Sequence, residues 1–444
     1  MCYNTIIIKN AHANTHADTR AKINFEREES AVIDKKQEES IQTNEQKNSR
    51  PSLDKKDLIL SLGAILLCGC VLSGAIPTAF IGFASLALFA YVVIAIRNIG
   101  AVVQLLLTSI LVTVLTFLPI CGTAVLSLML GAGTLAWLFM ILPKYKWLPT
   151  ILLVVAYGLG FLVTSNPVTP LLAFTFVPAA ALMAWAHARD LGRTSTVLHA
   201  LLGFIITFLA TLCIILWRAY GTINYNVLMG FVNEIKQLFV TVGVEAGKML
   251  WESIEATSTQ TAIPAESLEK LRELYAQAFD ENNLRTLADM IVGLAPALVT
   301  VPALIISYLS NVVLLRKYYN TEWRSHMTPA ACALTISPAA GVIYFVCLLI
   351  VMFVSKQSVF LMAVTNMCLI LLPGLCLTGV NVILYNAKQA RGWMGVASIL
   401  FFVAIVCCMG LNSLYFVALW GAYTTVSVAL HQKILQKMKE NNEE

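Results

Sequence analysis

Long apolar runs, separated by short polar or Gly- and Pro-containing turns, fill the chain from residue 58 to residue 430. A helix needs about 20 apolar residues to cross the hydrocarbon core, and in lipid its backbone amides must be paired internally. The pattern therefore predicts an all-α, polytopic transmembrane helical bundle. The twelve candidate spans are Leu58–Ile76, Thr78–Ile96, Ile99–Leu118, Cys121–Leu142, Leu148–Thr164, Pro170–Ala188, Val197–Trp217, Ile291–Leu315, Ala331–Val354, Ser358–Asn386, Trp393–Leu411 and Ser413–Leu430.

The number of spans depends on how the shortest turns are interpreted. Pro77, Pro119 and Asn412 are also compatible with kinks inside re-entrant segments, which gives a range of ten to twelve spans. Lys and Arg residues decide between these counts, because with twelve spans nearly all of those that flank the spans fall on one side of the membrane, Arg218 and Lys356 being the exceptions. We therefore favour twelve spans in a multi-pass protein of the cell (plasma) membrane, with both termini cytoplasmic.

Polar segments divide the chain into five regions. Residues 1–57 and 431–444 are predicted to be cytoplasmic tails, and the first is rich enough in Glu, Lys, Gln, Asn and Ser to be disordered. A first transmembrane block of about seven spans at 58–218 and a second of about five at 291–430 flank a polar insertion at 219–290.

Within the polar insertion, apolar residues recur every three or four positions from Val227 to Val242, and again after Pro264. This spacing predicts amphipathic helices. Because the insertion follows an odd number of spans, we expect it to be extracytoplasmic. A surface or interfacial cap and a gate over a substrate site both fit this pattern.

Composition agrees with a membrane protein. Hydrophobic residues make up 58% of the chain, charged residues 12%, and the mean hydropathy is +0.76, against roughly 45–50% apolar and 25% charged in soluble domains. The net charge of +5 does not indicate a nucleic-acid partner, because basic residues flank apolar runs and form no single patch. Most of the eleven cysteines lie inside apolar runs without histidines at metal-ligand spacing, so we predict no metal site.

The predicted spans contain no Asp or Glu. Proton-driven carriers usually depend on an intramembrane carboxylate, so a proton-coupled antiporter is disfavoured. The chain has no Walker-type phosphate loop, and hence no ATPase of its own. We predict no catalytic residues and no cofactor; a lipid-modifying enzyme that uses the acidic insertion is the least favoured function, because no nucleophile and base lie together.

Neutral polar side chains in the spans are the candidates for ligand contact. Asn366 and Asn381 are fifteen residues apart, which leaves them within about 60° on one helix face, and the intervening Pro373 would free a backbone carbonyl. Together with Gly379 and Asn166, they are predicted to bind a neutral or zwitterionic small molecule. Hydrogen bonding between helices explains each asparagine equally well.

Small residues repeat at four-residue spacing in the first span, for example Gly69 and Ser73. Such spacing lets another helix approach closely. The partner helix belongs either to this chain or to another subunit.

The order of these parts resembles the YybS (DUF2232) family of bacterial membrane proteins over about residues 60–430. The resemblance rests on the first helical block, the polar insertion, the Pro-containing segment Leu294–Leu298, the basic-aromatic segment Leu315–Tyr319 leading to Trp323 and Arg324, and the Leu-Thr-Gly-Val-Asn motif at 377–381. This family is similar to the substrate-binding S-components of energy-coupling-factor transporters and to the cell-shape protein MreD.

The resemblance implies a transport-related protein that binds a small solute in its first block. Energy would come from a transmembrane or ATPase partner subunit in the same lipid bilayer. The alternative is an MreD-like structural or scaffolding protein for the cell-envelope machinery.

Overall fold

The computed structural model describes residues 55–96, 119–142, 144, 147–258, 265–319, 336–354, 358–389, 400 and 410–443. All regular secondary structure in these ranges is helical, which confirms the all-α prediction. The α-helices are α1 Lys55–Leu72, α2 Ile81–Ile96, α3 Pro119–Ile141, α4 Trp147–Thr164, α5 Val177–Ala188, α6 Arg193–Tyr220, α7 Tyr225–Ser258, α8 Ala265–Ala278, α9 Glu281–Gly293, α10 Ala295–Tyr319, α11 Pro338–Phe353, α12 Val359–Gln389 and α13 Ser413–Glu443.

Eight stretches of the described chain are long and apolar enough to cross a membrane, and two shorter helices are apolar. The polytopic helical bundle is thereby confirmed. The eight stretches are Gly122–Ile141, Trp147–Thr164, Thr169–Ala188, Arg193–Tyr220, Tyr225–Thr257, Ala295–Leu315, Val359–Ile383 and Ser413–Met438. The predicted span Ile99–Leu118, most of Trp393–Leu411 and the tail at 1–54 lie outside the described residues, so the count of ten to twelve stays a prediction.

A first core is formed by buried apolar side chains of α1 to α6 and α10. Its helices pack at small residues: Gly69 of α1 lies against Ala156 of α4, and one turn later Ser73 lies against Gly160. Both contacts advance in the same direction, so α1 and α4 are parallel. The small-residue spacing of the first span therefore serves packing within the chain.

Helix α10 belongs to this first core, although the polar insertion precedes it in sequence. A Cβ on Gly133 of α3 would lie 2.5 Å from the carbonyl oxygen of Ser310, so the two backbones nearly touch. Ser307 and Ser310 are small, and each satisfies its hydroxyl on its own helix, at the carbonyls of Ala303 and Ile306. Small residues on both helices thus allow α10 to pack closely against α3.

A second core is formed by α11, α12 and α13 around the fully buried Tyr344. Helix α12 runs continuously through Pro373. A Cβ on Gly379 would overlap the carbonyl of Val417, and a Cβ on Gly421 would overlap the carbonyl of Leu375. These two glycines therefore set the close crossing of α12 and α13.

The polar insertion is a helical hairpin, and α9 is a helix that the sequence pattern did not resolve. Helix α7 packs antiparallel to α9 through a Lys236–Asp289 ion pair at 2.6 Å and a contact between Gly243 and Leu284. Four residues join α6 to α7, and Leu294 alone joins α9 to α10. The hairpin therefore leaves and re-enters the bundle at neighbouring helix ends.

Candidate functional site

Asn366, a predicted ligand contact, joins three helices. Its Oδ1 accepts a hydrogen bond from the Ala297 N–H at 3.0 Å, and its Nδ2 donates to the carbonyls of Gly293 at 2.8 Å and Met362 at 3.0 Å. Gly293 ends α9 and Ala297 is in the first turn of α10, so both partners are backbone groups that a helix end leaves unpaired. The Asn366 amide therefore caps both helices from α12.

The other predicted contacts lie in different surroundings. Gly379 packs on Val417 of α13. Asn166 lies in the turn after α4, where its Oδ1 accepts the N–H of Val168 at 3.0 Å. Asn381 is half-buried on α12. Each of the three therefore has its own neighbours, and no cavity described below is lined by any of the four predicted residues.

A different polar site lies at the C-terminal end of α10. The Lys317 Nζ donates a hydrogen bond to Ser61 Oγ of α1 at 2.7 Å. It also lies 4.7 Å from the ring centre of Trp137 on α3 and 4.9 Å from that of Tyr91 on α2. We call Ser61, Tyr91, Thr134, Trp137 and Lys317 the lysine cluster.

Local structure fixes each member of the lysine cluster. Ser61 is fully buried and donates its hydroxyl proton to the carbonyl of Asp57, one turn earlier, at 2.5 Å. Its lone pairs are thus turned towards Lys317. The Tyr91 hydroxyl is 3.5 Å from Thr134 Oγ1, which holds the ring of Tyr91 beside α3.

The lysine cluster carries a positive charge in neutral surroundings. Among the described residues no carboxylate pairs with Lys317; the ammonium group contacts one hydroxyl and two ring faces. Cation–π contacts of this kind contribute about 0.5–2 kcal/mol. Because an ammonium group has three N–H donors and Ser61 accepts one, the cluster holds more donors than acceptors.

Two buried polar atoms of α3 and α10 have no hydrogen-bond partner within the described part of the chain. They are the donor Nε1 of Trp137 and the acceptor Oδ1 of Asn311. Buried polar groups are normally satisfied, and an exception needs an explanation. Trp137 belongs to the lysine cluster, whereas Asn311 lies about 120° around α10 from Lys317. An anionic group beside Lys317 and Trp137 would supply the bond that the indole N–H lacks.

Sequence reasoning missed this site because hydropathy ended the span at Leu315, whereas the α10 helix continues to Tyr319. Lys317 then counted only as a basic residue that marks the cytoplasmic side. A helical projection would have found it: Lys317 follows Ser310 by seven residues and so shares its face. The tight contact of Ser310 with Gly133 points that face at α3.

Two cavities have other chemistry. One of about 650 Å³ lies between α11 and α13, and apolar side chains such as Phe345, Trp420 and Tyr423 line it. The other, of about 310 Å³, lies between α7 and α8 beside Trp251 and Arg272. The first suits hydrocarbon and the second is on the hairpin surface, so neither shares the chemistry of the lysine cluster.

The lysine cluster therefore combines a half-buried cation, two aromatic rings and an unpaired indole N–H, contributed by four helices of the first core. Such a site is suited to hold the anionic end of a small molecule. Comparisons with models of protein families, with curated proteins and with solved structures found no match.

Proposed function

We propose that this chain is a non-enzymatic, transport-related membrane protein that binds a small zwitterionic solute within its first helical block. The lysine cluster is the observation that carries the proposal. Lys317 is half-buried at the C-terminal end of α10, and its ammonium group contacts one hydroxyl and two aromatic rings but no carboxylate among the described residues. Lys317 supplies a fixed positive charge for a carboxylate, whereas a purely neutral solute would leave that charge unused.

Of the two buried polar atoms without a partner among the described residues, one belongs to the lysine cluster. Trp137 Nε1 offers a second donor beside Lys317. Asn311 is six residues before Lys317, about 9 Å along the axis of α10 and about 120° around it, so its Oδ1 is not assigned to the same site. A carboxylate beside Lys317 and Trp137 is the part of the solute that these contacts support.

Energy for transport would come from a partner subunit that carries an ATPase, as the likeness to S-components and the missing Walker motif suggest. We also propose that the protein resides in the cell membrane with both termini cytoplasmic. The hydrogen bond from Lys317 to Ser61 supports this arrangement, because it brings the end of α10 to the start of α1. Lys55, Lys56 and Lys317 then lie on the same side of the membrane, in agreement with the positive-inside rule.

Thermal unfolding in mild detergent tests the binding proposal. The purified full-length protein would be screened with amino acids and related zwitterions, each alongside its amide, which lacks the carboxylate. A ligand at a free concentration of a hundred times its Kd stabilises the folded state by about 2.7 kcal/mol. We expect stabilisation by a carboxylate-bearing compound and none by its amide.

Variants then locate the site. Lys317→Met should abolish the ligand-induced shift, whereas Lys317→Arg should keep part of it because the charge remains. Lys433→Met, at an exposed position on α13, is the matched control and should leave the shift unchanged. Equal shifts in Lys317→Met and the parent protein would refute the assignment of the lysine cluster.

An MreD-like structural role in the cell-envelope machinery is the second candidate. Two observations favour it: the amide of Asn366 is used by helix capping, and neither of the two cavities described above is lined by a predicted contact. Under this role, Lys317 anchors α10 at the membrane surface. Lys317→Met would then lower the thermal stability by the same amount whichever compound is present, and the parent protein itself would show no ligand-induced shift.

A further inference from the structure

Helix α7 carries an exposed apolar stripe that nothing in the described chain covers. Leu228, Ile235, Val242 and Met249 recur every seven residues, and Leu238 lies beside them. These five side chains are between 37% and 64% exposed and occupy an arc of about 80°. The face with Lys236, Val240 and Gly243 packs on α9 instead. Helix α7 thus has two apolar faces, one of them open.

Four of the charged residues of α7 occupy a separate arc. Glu234, Glu245, Lys248 and Glu252 lie within about 60° of one another, next to the stripe but not inside it. An apolar stripe beside a charged arc on one helix is typical of helices that lie in the membrane interface, although α7 is by length and composition also apolar enough to cross.

The orientation of α7 follows from one hydrogen bond. The Tyr220 hydroxyl at the end of α6 donates to Glu234 Oε2 at 2.5 Å. Glu234 is nine residues into α7, about 13 Å along its axis from Tyr225. A helix that continued outward from α6 would carry Glu234 beyond the reach of Tyr220. Helix α7 therefore does not continue along the axis of α6.

The exposed apolar surface is continuous from α6 onto α7. Trp217 near the end of α6, Ile223 in the link and Tyr225 at the start of α7 are all more than half exposed. Tryptophan and tyrosine are enriched where a helix leaves the hydrocarbon core. The lipid-facing surface of the bundle thus leads directly to the stripe.

We propose that α7 lies in the plane of the membrane interface, with the stripe from Leu228 to Met249 seated in the boundary between lipid headgroups and acyl chains. A full crossing by α7 is disfavoured because α9 lies antiparallel against it. Crossing would draw Asp280, Glu281, Arg285 and Asp289 into the hydrocarbon with it, which is costly for each charge.

Photo-crosslinking of the full-length protein in lipid nanodiscs tests this placement. A benzophenone amino acid would replace Leu238 or Val242 in the stripe. Gln237 and Thr241 are the matched control positions, because each points about 100° away from the stripe residue that follows it. All four positions are exposed. Normal elution on size exclusion confirms that each variant folds.

We expect lipid adducts at 238 and 242 to exceed those at 237 and 241 at least about threefold, because only the stripe enters the acyl-chain boundary. Crosslinks between two protein chains at 238 and 242 would overturn the proposal in favour of a second copy as occupant. High adduct yields at all four positions would indicate a crossing helix, and low yields at all four an aqueous one; either result refutes it.

Discussion

Replacing Asn366 by leucine removes a side chain that caps two helices at once. The carbonyl of Gly293 and the N–H of Ala297 both lose their partner, and both belong to helix ends where no backbone group can substitute. The third bond, to the Met362 carbonyl, lies within α12 and contributes less.

The expected loss of stability in Asn366→Leu follows from the two hydrogen bonds that Asn366 makes to other helices. Hydrogen bonds between membrane helices average about 0.6 kcal/mol, and an asparagine cap contributes about 0.5–2 kcal/mol. Asn366 is buried, so water cannot replace the lost partners. We therefore expect Asn366→Leu to lower the free energy of unfolding by about 1–3 kcal/mol.

Thermal unfolding in mild detergent, followed by fluorescence-detected size exclusion, measures this change. Asn381→Leu is the matched control, because Asn381 lies on the same helix, is half-buried and makes no hydrogen bond among the described residues. The control should stay within about 0.5 kcal/mol of the parent protein. Unchanged stability in Asn366→Leu, together with a lost ligand-induced shift, would refute the capping role and restore Asn366 as a ligand contact.

Two further substitutions test the first core and its site. Gly133→Ala should destabilise the protein by about 1–3 kcal/mol, because its Cβ would lie 2.5 Å from the Ser310 carbonyl oxygen. Gly158→Ala is the control: its Cβ would meet nothing within 4 Å, so it should be neutral or stabilising in the same unfolding assay. Equal losses of stability in the two variants would contradict the close contact between α3 and α10. Trp137→Phe should cost less than about 1.5 kcal/mol, since it also removes an unpaired N–H. The same variant should weaken solute affinity about tenfold, as the loss of one hydrogen bond to a charged group requires; unchanged affinity in isothermal titration would exclude Nε1 as a ligand donor.

Local hydropathy was sufficient to predict several of the apolar helices with close bounds. The predicted span Leu148–Thr164 differs from α4 by one residue, and Val197–Trp217 lies inside α6. Helix ends, in contrast, depend on capping and hydrogen bonding, which hydropathy does not measure. For that reason the helix beyond Leu315, and Lys317 with it, escaped the prediction.

The candidate site could not be predicted because it depends on which helices pack together. Nothing local shows that α10 joins α3 across the hairpin. The contact arises from small residues on both helices, which are common in membrane spans and do not specify a partner. Asn366 illustrates the same limit: its spacing from Asn381 suggested a shared ligand, whereas its partners lie about seventy residues away, at Gly293 and Ala297.

Helix α10 connects the two cores, and this gives the proposed variants distinct meanings. Its first turn is capped by Asn366 of α12, in the second core, while its last turn carries Lys317 into the first core. Asn366→Leu should therefore loosen the attachment of the second core without removing any solute contact. Lys317→Met should remove the solute contact and leave that attachment intact. If both variants lost solute binding equally at matched stability, α10 would have to transmit the position of the second core to the lysine cluster, and the binding site would extend beyond the first block.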